Sequence, residues 1–190
     1  EINVRKLNPE EQLTYLRAHE ITFVRFGRPD ETTTRALLAR LDPLFPAASF
    51  QLNWLLCETL VYLQSPTVAA KGIALLRTAP TQEEQMEYAR SLRFLKAGWT
   101  TELHTEYFNW LLKAANYRGG ASFEKFIEFI RNDAVASLSD DDKKTLAAVL
   151  AKKPEKISPL AALGSALAGR SVVKECTLDD LAPAAERGLK

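Results

Sequence analysis

Apolar residues recur along this chain at helical spacing, and polar capping signals separate one run from the next. Leu13, Leu16, Phe23 and Val24 share one face of a helix predicted from Pro9 to Phe26. Asn8-Pro9-Glu10-Glu11 opens it with an N-cap, a proline at the first helical position and acids against the helix dipole, and Gly27 closes it. Asp30 caps a second helix carrying Ala36, Leu37, Leu38 and Leu41, which ends near Asp42-Pro43. Leu52, Leu55, Leu56, Leu60 and Leu63 form a wide apolar stripe that starts near Ser49. Ser65-Pro66 ends that helix and begins another, in which Val68, Gly72, Leu75, Leu76 and Ala79 point one way. The small residues Ala69, Ala70, Gly72 and Ala74 there permit close helix approach.

The pattern continues to about residue 151. Thr81 with Glu84 reads as a capping box, followed by a Tyr88, Ala89, Leu92, Leu95 stripe that Gly98 ends. Thr100 starts a helix with Leu103, Tyr107, Trp110, Leu111 and Ala114 inward, and Arg118-Gly119-Gly120 turns the chain. A helix from Ser122 carries Phe123, Phe126, Ile127, Ile130 and Ala134. Ser139 with Asp142 caps one last helix bearing Leu146, Val149 and Leu150. A start signal thus falls about every 19 residues, and two helices make a unit of about 37, close to the period of helical-hairpin repeats. No stretch reads as a strand ladder. The expected fold is all-α, an α-solenoid of stacked antiparallel hairpins over residues 1–151. Residues 152–176, charged and then rich in Ala, Gly, Ser and Pro, read as a linker or strap. Thr177-Leu178-Asp179-Asp180 begins a short helix that the end of the chain truncates, leading towards a following domain.

Composition narrows the function classes. With 190 residues, 46% hydrophobic and 26% charged, the chain can bury a continuous core. Its 25 basic and 24 acidic residues nearly cancel, whereas a phosphate-binding groove is markedly basic, so no nucleic-acid partner is expected. No apolar run is long enough to insert in a membrane. A start at Glu1 without Met and a stop at Lys190 read as the ends of a piece of a longer protein. Cys57, on an apolar helix, and Cys176, in the linker, read as a buried hydrophobe and a loop thiol; a bridge between them stays open.

Candidate chemistry is sparse. His19 and His104 belong to no metal-binding spacing and read as packing or surface imidazoles. Asp140-Asp141-Asp142 lacks the alternation and glycine of a calcium loop and is explained by helix capping. Arg118-Gly119-Gly120 lacks the end of a P-loop, and Ser165 sits in no nucleophile elbow. No catalytic, cofactor or metal residue is therefore assigned. Trp110 lies on a buried stripe and reads as core. Trp99, Trp54 and Tyr107 are the candidates for contact with a partner, Trp99 foremost because it follows the Gly98 turn.

Leu63-Gln64-Ser65-Pro66-Thr67-Val68 resembles the inter-helix turn of HEAT repeats, where a proline and a following valine recur. Further residues carry a wider resemblance: Leu41-Asp42-Pro43-Leu44-Phe45-Pro46, Leu56-Cys57-Glu58-Thr59-Leu60-Val61-Tyr62-Leu63 and Ala79-Pro80-Thr81-Gln82-Glu83-Glu84-Gln85. Tyr117-Arg118-Gly119-Gly120, Ser122-Phe123, Val173-Lys174-Glu175 and Thr177-Leu178-Asp179-Asp180-Leu181 continue it. In these residues the chain resembles the HEAT-like helical-repeat region of large bacterial haem-binding multidomain proteins, which combine a dehydrogenase-like propeller with a c-type cytochrome domain. The resemblance implies a HEAT/armadillo-like superhelix, an exported parent in the periplasm or at the cell surface, and haem c beyond Lys190. It places no haem within this chain, which has no Cys-x-x-Cys-His. The expected function is that of a non-catalytic scaffold or spacer holding adjacent domains or a protein partner. The alternatives are an independent peptide- or protein-binding module and, further off, a helical-repeat nucleic-acid-processing enzyme.

Overall fold

The computed structural model describes residues 2–117, 119, 120 and 122–155. Among these the fold is all-α, with no strand. The helices are α1 (Pro9–Phe26), α2 (Glu31–Leu41), α3 (Phe50–Tyr62), α4 (Val68–Thr78), α5 (Gln82–Leu92), α6 (Thr101–Ala114), α7 (Phe123–Ser137), α8 (Asp140–Thr145) and α9 (Ala147–Leu150). The strap expected over 152–176, with Cys176, and the final helix expected from 177 lie outside the described residues, except for 152–155, which follow α9 without regular structure.

Local chemistry sets most helix starts. Asn8 accepts from the Glu11 amide while Glu11 Oε2 accepts from the Asn8 amide, a reciprocal capping box before Pro9. Asp30, Ser49, Thr81 and Thr100 each accept one amide of the first turn. At Ser139 the shorter Asp142 side chain takes its bond from the Ser139 hydroxyl, at 2.6 Å, instead of from the backbone. The last predicted helix is two pieces, bent at Leu146 (φ −90°, ψ 2°), and Leu146 and Val149 are both buried.

Packing follows alternate helices. α1 packs on α3, α3 on α5 and α5 on α7; on the other side α4 packs on α6, and α6 on α9. α4 also lies along α5, where a Cβ on Gly72 would come within 3.0 Å of Leu92, so the absent side chain sets the approach. α3 sits mid-row, with α1 and α5 on its flanks and α4 beside it. It is accordingly buried nearly all round, from Leu52 to Val61. One continuous core runs from Leu16 to Val149, and Phe23, Leu37 and Leu63 form a small satellite. Three residues expected inward face outward: Val24, Ala36 and Phe126. Each lies one residue off its helix's buried stripe, about 100° around the axis.

The turns are tied to one another. α3 ends in a Schellman motif, with Ser65 N–H donating to Leu60 O and Gln64 N–H to Val61 O. Gln64 holds the left-handed position there (φ 58°), which glycine usually takes. Its side chain offsets that strain: Nε2 donates to Phe94 O at 3.0 Å and Oε1 accepts from Lys96 N–H at 2.8 Å in the turn after α5. Arg28, in the turn after α1, donates in the same way to Leu63 O at 3.0 Å. Asp42 accepts from Ser65 and Thr67 hydroxyls, and Lys71 donates to the Asp42 carbonyl. α5 stops at Leu92, well before Gly98: the Leu95 amide turns to Leu92 O and the Lys96 amide to Gln64. Gly98 has φ +73°, and a Cβ there would lie 1.9 Å from Pro66 O, so only glycine fits between these turns.

Candidate functional site

A polar and aromatic strip crosses the outer face of the row formed by α1, α3 and α5. Trp54, Glu58 and Tyr62 stand at successive i,i+4 positions on α3 and therefore share one face. Arg17 and Glu20 on α1 flank them on one side, with a 3.7 Å ion pair, and Glu87 and Arg90 on α5 on the other. Arg90 binds Glu87 through Nε at 2.8 Å and Glu58 through Nη2, so one guanidinium bridges α5 to α3. Arg93 pairs with Asp133 of α7 at 3.0 Å and lies over the Phe94 ring at 4.2 Å. The strip thus carries ion pairs within α1, between α3 and α5, and from the turn after α5 to α7.

At the turn end, the strip opens into a groove of about 420 Å³ lined by Arg28, Glu58, Tyr62, Arg90, Arg93 and Phe94. Tyr62 is 40% and Phe94 50% exposed, one ring at the end of α3 and the other in the turn after α5. At the other end, Arg17 lies over the Trp54 ring at 5.6 Å. Trp54 Nε1 and Glu20 Oε1 are both enclosed without a hydrogen-bond partner among the described residues. Burial, with Glu58 adding its charge, pushes the Glu20 carboxyl above the usual carboxylate range. The strip can offer aromatic faces and a carboxylate, while the Trp54 indole N–H stays enclosed. The Ser91 hydroxyl, which also lines the groove, is spent on Glu87 O. Among the described residues no group of three or more His, Cys, Asp or Glu is placed to hold a metal ion.

The aromatic candidates separate. Trp54 lies on the strip, half-buried. Trp99, foremost as a turn residue, folds back: its Nε1 donates to Leu95 O at 2.9 Å, and its ring stacks on His104 at 4.4 Å and 13°. Tyr107 is core, 1% exposed, its hydroxyl donating to Ala89 O at 2.7 Å, so the folded chain offers a partner nothing of it. Burial there pushes its phenol far above the ordinary range. Trp110 is buried and donates to Gln85. Cys57 is buried, with its thiol pushed up to about 12 by desolvation. Tyr62 and Phe94 were not singled out by sequence, because each follows a buried stripe and only the turn geometry exposes it. A signal was present: Trp54, Glu58 and Tyr62 lie four apart, opposite the leucine stripe.

No protein-family model matches this chain, and no curated protein or solved structure matches it.

Proposed function

We propose that this chain is a non-catalytic helical-repeat scaffold, an α-solenoid of HEAT/armadillo-like antiparallel hairpins that positions neighbouring domains or a protein partner. The observation that supports this reading is the packing of α1 on α3, α3 on α5 and α5 on α7, with α4 on α6 alongside. Such an order is expected of stacked hairpins, in which each unit touches its neighbours. The stitched turns at Arg28 and Gln64 add stiffness, which a spacer needs. On the resemblance drawn from the sequence, the parent is an exported haem-binding protein with haem c beyond Lys190.

The test extends the chain by one domain along its natural reading frame, in a host that matures c-type cytochromes. Covalent haem absorption in the longer protein alone is the expected result. Absence of haem from both overturns the haem-binding parent.

The second reading, an independent peptide- or protein-binding module, draws on the Tyr62–Phe94 groove. Hydroxyl-radical footprinting of the extended protein separates the two. A scaffold covered by its own neighbour protects Tyr62 and Phe94; an independent binder leaves them reactive until its partner is added. A nucleic-acid-processing reading draws nothing from this groove, because Arg90 and Arg93 are paired with Glu58, Glu87 and Asp133.

A further inference from the structure

The outer side of α1 is the least covered apolar surface of the described residues. Ile21 is 57% and Phe26 82% exposed with Val24 open between them, and Ile2 is open at the N-terminal end of the helix. Glu11, Thr14, Ala18, Ile21 and Arg25 are all exposed and form a stripe at spacings of three and four. The charged ends of this stripe are complementary when it is reversed. Glu11 and Arg25 each stand seven residues from Ala18, which is the smallest residue on the stripe. Arg25 has no ionic or hydrogen-bond partner among the described residues. Glu11 uses Oε2 on the Asn8 amide, and Oε1 stays open.

Two grooves flank the same helix, and Ala18 lines both. One, about 670 Å³, runs to the N-terminal end past Ile2, Leu7, Glu10 and Glu11. The other, about 370 Å³, runs to the C-terminal end past His19, Thr22, Phe26 and Leu37. A two-fold axis through Ala18 sets residues equally far on either side of it against each other. Arg25 then meets Glu11 of the other copy, and Phe26 meets the wall of Ile2, Leu7 and Glu10. Charge, shape and apolar surface agree on one arrangement, and antiparallel helix dipoles favour it.

We propose that α1 is a homodimerisation surface that pairs antiparallel with α1 of a second copy of this chain about an axis at Ala18. The small central residue permits close approach, the two Glu11–Arg25 pairs set the register, and the two Phe26 rings are covered.

Sedimentation equilibrium of the whole chain over a concentration series tests this. A monomer–dimer equilibrium is expected. Arg25→Glu, which sets like charges against Glu11, weakens it about tenfold, and Ala18→Arg abolishes it. Ala18 and Arg25 are exposed, so both variants keep the wild-type circular dichroism. In a Cys176→Ser background, Ala18→Cys forms a disulfide-linked dimer on mild oxidation, whereas Thr32→Cys on α2 does not. A chain monomeric at every concentration overturns the proposal. So does a dimer that survives Ala18→Arg, and so does crosslinking no faster at position 18 than at 32.

Discussion

His104 shows how one buried side chain links this fold to pH. The ring lies under Trp99 and beside Tyr107 and Phe108, 6% exposed. Desolvation lowers its pKa from the usual 6.5, with Asp142 opposing in part. The folded state therefore resists a proton that the unfolded chain binds below about pH 6.5. Stability is fully present above that pH and falls as pH drops towards the folded value. Urea midpoints should decline from pH 7 to pH 5 in the wild type and less steeply in His104→Phe, which keeps the ring and removes the titration. Equal slopes would show that other groups carry the dependence. A histidine four residues after Thr100 announces a helix position, but not a ring sealed under the tryptophan of the preceding turn.

The turns hold the element-scale information. Capping residues were legible at Asn8, Asp30, Ser49, Thr81, Thr100 and Ser139, because a cap depends on residues within one turn of itself. Gln64 was not legible in the same way. Nothing in Leu63-Gln64-Ser65-Pro66 shows that a glutamine takes φ 58° because its amide reaches Phe94 and Lys96, some thirty residues on. Gln64→Ala loses both of those bonds and the local one to Val61, and keeps the strained backbone. A loss of about 2 kcal/mol is expected. Gln64→Gly loses the same bonds but relieves the strain, and should be more stable than Gln64→Ala by roughly 0.5–1 kcal/mol. Chemical denaturation of the two variants checks the order, and the reverse order would remove the strain argument.

At the scale of the whole molecule, alternate-helix packing predicts graded stability. α3 has neighbours on both flanks and is buried nearly all round, while α1 and the short α8 and α9 lie at the ends. Native-state hydrogen exchange should find the slowest amides in α3 to α6 and separate, cheaper openings at α1–α2 and α8–α9. One common opening free energy for all helices would argue for a single closed core and against stacked hairpins. The strip from Trp54 to Phe94 belongs to this scale too. It exists because α1, α3 and α5 lie side by side and align residues that are 30 or more apart in sequence.

The sequence alone determined the helical class, most helix starts and most of the buried stripes, because 3.6-residue periodicity and capping act over one or two turns and need no partner. It also indicated that Trp110 is core and that α4 approaches a neighbour closely at Gly72. Only the tertiary structure decided where α5 stops, why Gly98 must be glycine, and that Trp99 and Tyr107 are used internally while Tyr62 and Phe94 are displayed. Each of those outcomes depends on a contact between distant turns, and a side chain's exposure is set by the neighbour that covers it, which local sequence does not record.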